Sequence, residues 1–463
     1  MLDAPPLSIK HLGPAFAGMS GMFGDWDPMT RVWLIAAGLA LLAAGQAQAQ
    51  PIASSAIDAR VQAIQPKVVA WRRDIHQNPE LGTQEVRTAK LVADHLRGLG
   101  LEVRTGIART GVIGILRGGK PGAVVALRAD MDALPVEEKT GLPFASKATA
   151  EYGGKTVPVM HACGHDSHTA MLMGAAEVLA GMKADIPGTV VFIFQPAEEG
   201  APPGMKEAGA PQMVEEGAFR SPKPDAIFGM HVFPGPVGRI EVRPGPYMAG
   251  SDTFRIVYKG KGTHGAMPWA GVDVVSLASA TVGALNTVAA RQVDVTDTPT
   301  IITIGMVQAG TRFNIIPDEA SLAGTLRTYG AARRKDVMAR IERTVKGLAD
   351  TYGATGQVIW EGTNPAVIND AKLTAASLPA LEQAAGAAGV VQDPKLRTVS
   401  EDFSYFNEIA PTVYYGIGST PGFTTMEAAP ANHSPQFNID EKVMVTGVKA
   451  HVLTALNYLN KGR

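Results

Sequence analysis

Five short apolar runs constrain what this chain can fold into: Val112–Leu116, Ala123–Leu127, Val190–Phe194, Ala226–Gly229 and Thr412–Gly416. Each is mostly β-branched or aromatic, too short for a helix, and bounded by Gly, Pro or charge. Each therefore reads as a buried strand. Helical spacing occupies Val61–Arg73, Thr83–Gly98 (with Gly98 and Gly100 as stop signals) and Asp166–Met182, which opens on an Asp/Ser cap. Strands alternating with helices define an α/β domain. Polar clusters follow three of the strands: Arg128-Ala129-Asp130-Met131-Asp132, Gln195 to Gly200, and His231. Ligands in open α/β sheets bind beyond the carboxyl ends of the strands, so clusters far apart in sequence converge on one site.

The pattern changes near Gly250. Asp252–Lys259, Thr300–Val307, Ala320–Tyr329 and Gly356–Trp360 read as strands, with helices at Val272–Ala290 and Ala332–Tyr352. The order β-α-β-β-α-β is that of a ferredoxin-like α+β unit. A chain of 463 residues is also too long for one ordinary core. The expected organisation is a first domain in two parts, 50–249 and 363–463, interrupted by an inserted domain over 250–362.

The 46% hydrophobic and 18% charged composition is that of a soluble globular protein. Lys+Arg number 42 against 43 Asp+Glu, a net charge of −1, which gives no electrostatic case for nucleic acid or an anionic membrane. At the N-terminus, Arg31 precedes an apolar run from Val32 to Gly45 and then Gln46-Ala47-Gln48-Ala49-Gln50. This is the pattern of a secretory signal peptide, with cleavage after Ala49. Met29 is the natural start, which makes 1–49 an upstream extension plus signal. The run is short for a bilayer span. The mature protein is expected in the periplasm or secreted, without stable membrane association.

His161-Ala162-Cys163-Gly164-His165-Asp166 holds the only cysteine of the chain. A thiol two residues from an imidazole suits a borderline-soft divalent metal, and Cys163 with His165 form one ligand pair. The bland alternative is a small buried Cys. His161 and His168 are weaker candidates, the first as a hydrogen-bonding neighbour of the ligands. Glu198 and Glu199 point in different directions on an extended segment, so one can bind metal while the other serves as base; alternatively they form a solvated acidic loop. Asp130 and Asp132 share a face, as ligand-orienting carboxylates or as a turn cap before Pro135. His231 and His433 complete the candidate set. His264 lies in the inserted domain and can reach a site only across a domain or subunit interface.

Together these motifs resemble the M20 metallopeptidase family, specifically its amidohydrolase branch of aminoacylases, hippurate hydrolases and auxin-conjugate hydrolases. The resemblance runs from about Val61 to the C-terminus. It includes Asp74 to Leu81, Arg128 to Pro135, His161 to His165, Gln195 to Gly200, Thr263 to Pro268, Asn314 to Pro317, Ser400 to Phe403 and Asn432 to Pro435. It implies a mixed-sheet catalytic domain with helices on both faces and a ferredoxin-like lid that makes a homodimer. It further implies two divalent ions, Zn²⁺ or Mn²⁺ with Co²⁺ or Ni²⁺ as options, held by Cys163, His165, Glu199, His231 and His433. Glu198 is then the general base, His264 stabilises the oxyanion, and Asp132 supports a ligand from behind. Arg312 and Asn314 are assigned to a substrate carboxylate. Many M20 members carry His-x-Asp where this chain has Asp130-Met131-Asp132, so Cys163 and His165 take up that coordination. The implied reaction is cleavage of an N-acyl amino acid. The alternatives are a dipeptidase or carboxypeptidase on the same scaffold, or a periplasmic binding protein without catalysis.

Overall fold

The computed structural model describes residues 54–420, 422 and 429–461. The expected signal peptide lies outside the described residues. The main sheet contains β1 (Glu102–Ile107), β2 (Gly111–Arg117), β3 (Lys120–Asp130), β4 (Pro187–Gln195), β5 (Ala226–Phe233) and β6 (Ile240–Val242). The strands of a second sheet follow in the chain: β7 (Gly250–Lys259), β8 (Ile301–Ala309), β9 (Glu319–Thr328) and β10 (Thr355–Asn364). The main sheet then resumes with β11 (Val390–Gln392) and β12 (Thr412–Gly418), in the order β1-β2-β4-β3-β5-β12-β6-β11. Its centre, β4-β3-β5-β12, is parallel, and β1, β2 and the β12–β6 pair are antiparallel. The sheet is therefore mixed.

The helices are α1 (Ser54–Gln77), α2 (Val86–Gly98), α3 (His165–Ala180), α4 (Gly209–Glu215), α5 (Val274–Arg291), α6 (Ala331–Tyr352), α7 (Ala371–Ala385) and α8 (Val443–Lys461). Successive residues of β4 bury into opposite cores. Val190, Phe192 and Phe194 pack with α1, α2, α3, α7 and α8, while Val191 and Ile193 pack with α4 and the Asp402–Glu408 turn. Burial on both faces is why the central strands read as continuous apolar runs. The edge strands β1 and β11, and β6 beside β11, were not legible: β1 is exposed and polar, and β6 and β11 are only three residues long.

Residues 250–364 carry a sheet and core of their own. The order β8-β9-β7-β10 is antiparallel throughout. Phe254, Ile256, Leu322 and Leu326 pack under Leu277 and Leu285 of α5 and Val337 and Ile341 of α6. α5 is long and apolar enough to cross a membrane, but Leu277, Leu285 and Val288 are spent on this core.

α1 begins at Ser54, earlier than the expected Val61, and two later helix starts also differ from the sequence reading. α2 begins at Val86 rather than Thr83, because Glu85 is drawn away to accept from Thr110 Oγ1 (2.6 Å) and the Ala197 N–H (2.8 Å). α3 has no Asp or Ser side-chain cap. Its N-cap is Gly164 at φ 92°, where a Cβ would sit 2.4 Å from Val232 Cγ2. Only glycine fits both that backbone and that gap. Asp166 instead pairs with Arg72 (2.8 Å) and His76 (2.9 Å), fastening α1 to α3.

His451 on α8 is fully buried, and neither ring nitrogen has a hydrogen-bond partner among the described residues. Burial pushes it down to about 3 from 6.5. The unfolded chain therefore takes up a proton near pH 6.5 that the folded chain refuses until about 3. Its contribution is complete above pH 6.5 and drains as pH falls through that window, by roughly 3–5 kcal/mol in all. Metal-free His451→Phe protein should lose less stability on acidification than wild type, read by denaturant unfolding across pH. Superimposable acid limbs would contradict this.

Candidate metal centre

The carboxyl ends of β3, β4 and β5 and the start of α3 point into one region. Cys163 and His165 lie at the turn into α3, His231 near the end of β5, and Glu198-Glu199 just after β4. His433 closes the group from solvent, its ring about half exposed at 53%. Its backbone is held at φ 68°, a costly conformation for a residue with a Cβ. Its N–H donates to the Ala162 carbonyl at 2.7 Å. Asn432 donates to the Cys163 carbonyl at 3.2 Å and the Val232 carbonyl at 3.3 Å, which fixes this segment on the site.

Cys163 Sγ is 3.3 Å from both His231 Nε2 and His433 Nε2. Glu199 Oε1 is 3.0 Å from His433 Nε2, without hydrogen-bond alignment. Donor atoms of Cys163, His165 and His231 lie within 4.8 Å of one another, as do those of Cys163, Glu199 and His433. The two sets share the thiol.

The tautomers follow from backbone partners. His165 Nδ1–H donates to the Asp132 carbonyl at 2.9 Å, so Nε2 is the nitrogen facing the site. Against burial, Asp130, Asp132 and Cys163 raise the proton affinity of the ring well above its ordinary value, and a cation at Nε2 would take that proton's place. That atom is buried and has no hydrogen-bond partner. His231 Nδ1–H donates to the Val232 carbonyl at 2.7 Å, which leaves its Nε2 facing the thiol as an acceptor. Two bare imidazole nitrogens, a thiol and a carboxylate aimed at common points fit a divalent metal of the zinc class. An orphaned buried acceptor such as His165 Nε2 is otherwise costly.

The electrostatics agree. Burial, and then the Glu199 charge, push the Cys163 thiol up, with His165 and His433 pulling it down. His433 is pushed up to about 10 by its contacts with Cys163 and Glu199. Burial holds His231 well below its ordinary value, so its ring is neutral. Glu198 is carried well above the carboxylate range by burial and then by Glu401, Glu199 and Asp402. The field that raises these proton affinities also attracts a cation.

Asp132 sits behind two of these groups. Its Oδ1 lies 3.2 Å from His165 Nδ1, and its Oδ2 accepts the Glu199 N–H at 3.1 Å. His168 is fully used, donating from Nδ1 to Asp130 Oδ1 (2.6 Å) while Nε2 accepts the Val232 N–H (2.9 Å). It has no lone pair left for a metal. His161 is buried, but no hydrogen bond reaches either ring nitrogen among the described residues, so the anticipated bonding behind the ligands is not seen.

His264, Arg312 and Asn314 stand apart. His264 is exposed, and its Nδ1 accepts the Ala266 N–H at 3.0 Å. Arg312 is exposed and stacks over Phe313, 5.9 Å from the ring centroid. The Asn314 carbonyl accepts the Gly265 N–H at 2.8 Å, joining its loop to that of His264. Among the described contacts, none joins these three to the Cys163 cluster.

Sequence reasoning missed a buried arginine. Arg128 donates to Gln195 Oε1 (2.8 Å), Asp130 Oδ2 (2.7 Å), Glu401 Oε1 (2.9 Å) and Asp402 Oδ1 (3.1 Å). Tyr414 donates to Glu401 Oε2 at 2.5 Å, and Gln195 and the Ala210 N–H hold Asp402. The Ser400–Phe403 segment thus ties β3, β4 and α4 together beneath Glu198. The one sequence signal was an arginine at the end of an otherwise apolar strand.

Residues 126–457 match the model of peptidase family M20/M25/M40. Thermostable carboxypeptidase 2 of Saccharolobus solfataricus is 40% identical over 87% of this chain and 98% of its own length. The N-acetylcysteine deacetylase of Bacillus subtilis is 38% identical over 82% of this chain and 94% of its own. The solved structure of the Bacillus subtilis YXEP protein, a dinuclear metal binding peptidase from the M20 family, superposes with a TM-score of 0.72. It is 34% identical, over 87% of this chain and 100% of that one. With a divalent-metal donor set at its strand ends and these relatives across most of its length, the chain belongs to peptidase family M20/M25/M40 and is a metal-dependent hydrolase of amide bonds.

Proposed function

We propose that this protein hydrolyses N-acyl amino acids, N-acetyl or N-benzoyl among them, to a carboxylic acid and a free amino acid. One observation carries the chemistry. Glu198 is buried, has no hydrogen-bond partner among the described residues, and lies 3.8 Å from the bare Nε2 of His165. A carboxylate held beside a ligand but bonded to nothing is free to move a proton.

Cys163, His165, Glu199, His231 and His433 would hold two divalent ions, Zn²⁺ or Mn²⁺ before Co²⁺ or Ni²⁺, with the thiol shared between the two donor sets. The ions supply an acidified water and polarisation of the scissile carbonyl. Glu198 takes a proton from the attacking water and returns it to the leaving amine. Asp132 holds the His165 ring and the Glu199 backbone in place.

Residues 250–362 serve in this reading as a lid and dimerisation domain. Phe313 at 95%, Trp269 at 80% and Met306 at 55% exposure are apolar side chains of this domain available for a second copy to cover. His264, with Arg312 and Asn314 for the substrate carboxylate, would then act from across an interface. Light scattering should give the mass of a dimer; a monomer at all concentrations would contradict this. Export rests on the Arg31–Gln50 pattern, and N-terminal sequencing of exported protein should begin at Gln50.

The carboxypeptidase among the relatives keeps a second reading open, a peptidase on the same scaffold. Metal-loaded protein assayed on matched N-acetyl amino acids and dipeptides should favour the N-acyl series in kcat/KM. Faster turnover of the dipeptides would overturn the proposal in favour of the peptidase.

A further inference from the structure

A cleft of about 840 Å³ opens on Glu198 and runs between the loop after β4 and the ends of β7 and β10. That volume suits a small-molecule group. Its walls are acidic: Glu207, Glu215, Glu361, Asp402 and Glu408 line it along with Glu198, against Lys206 and Arg334. Arg334 is already held by Asp252 at 2.8 Å, and the Lys206 side chain is 94% exposed. Glu361 pairs with Arg255 at 2.7 Å and Asp402 with Arg128 at 3.1 Å. Glu207 pairs with Lys206 at 3.7 Å, so the charge left on the wall is that of Glu215 and Glu408, beside the buried Glu198.

Two independent features turn this acidity toward a ligand. Glu198 is only 9% exposed, lines the cleft and has no hydrogen-bond partner among the described residues. Trp360 and Tyr405 line the same space. Tyr405 donates to the Thr363 carbonyl at 2.6 Å and is pushed up to about 12 by burial, then by Asp402, Glu207 and Glu408. Those carboxylates therefore lie near the Tyr405 phenol. Carboxylates beside aromatic side chains recognise ammonium and guanidinium groups and repel anions.

We infer that this cleft is a subsite for a cationic group of the substrate, of the lysine or arginine type. Its use in turnover rests on the hydrolase reading, but its binding does not. The remaining wall charges are mostly exposed, so the preference should be modest and sensitive to salt.

The test has two arms. Calorimetry compares L-argininamide with its neutral isostere L-citrullinamide on metal-loaded protein. Kinetics compares N-acetyl-L-arginine with N-acetyl-L-citrulline, and arginyl-glycine with citrullyl-glycine, which place the charge on either side of the amide. The expected result is roughly tenfold tighter binding of argininamide. One of the kinetic pairs should show a similar ratio in kcat/KM, carried by KM. Both ratios should shrink at high salt and collapse toward one in Glu215→Gln/Glu408→Gln protein. Equal affinity for the two amides, or a preference untouched by the double variant, overturns the subsite. A binding preference without turnover of any amide upholds the subsite and removes the hydrolase reading instead.

Discussion

Glu198→Gln protein should keep its metal and lose roughly a thousandfold in kcat. The substitution preserves size and shape at a side chain that donates and accepts no hydrogen bond among the described residues, so the fold has little to lose. Glu198 lies within 4.8 Å of donor atoms of His165 and Glu199, but it belongs to neither donor set that contains Cys163. Its removal should therefore leave metal stoichiometry unchanged on elemental analysis. KM should change little, because the missing group acts on the proton in flight rather than on the bound substrate. Near-wild-type turnover would take Glu198 out of the base role, and loss of metal would make it a ligand.

Arg128→Met should destabilise the protein by about 3–5 kcal/mol in denaturant unfolding. Arg128 is fully buried and is the cation facing Asp130, Glu401 and Asp402, which are themselves 5% exposed or less. Removing it leaves three interior carboxylates without their arginine, held by His168, Tyr414, Gln195 and the Ala210 N–H. Arg128→Lys keeps the charge but not the planar fork that reaches Gln195, Asp130 and Glu401 at once, so it should recover only part of the loss. A cost under about 1 kcal/mol for the Met variant would mean that the acids around it take up protons freely. Asp402 is already carried above its ordinary value by burial, so that outcome has a concrete mechanism.

The parts of this molecule that were legible in sequence share a physical trait. β3, β4 and β5 are buried on both faces, so their composition cannot drift toward polarity, and their ends announce where polar residues collect. Cys163 with His165, and Glu198 with Glu199, are local pairs, so their proximity in the folded chain follows from their spacing. The Arg128 network was invisible for the opposite reason. Its partners Glu401 and Asp402 lie more than 270 positions away, and a lone arginine between apolar residues looks like an edge. The start of α3 misled because Asp166 resembles a cap, and only the fold shows Arg72 and His76 claiming it. The roles of His231 and His433 came from resemblance, since an isolated histidine carries no spacing signal. Their approach to the thiol is a property of the three-dimensional structure alone.

Anomalous diffraction from crystals of the metal-loaded protein tests the centre most directly. Two peaks are expected, both within bonding distance of Cys163 Sγ, about 2.3 Å for zinc. One should sit beside His165 and His231, the other beside Glu199 and His433. Peaks remote from Cys163, or a single peak that the thiol does not touch, would contradict the account.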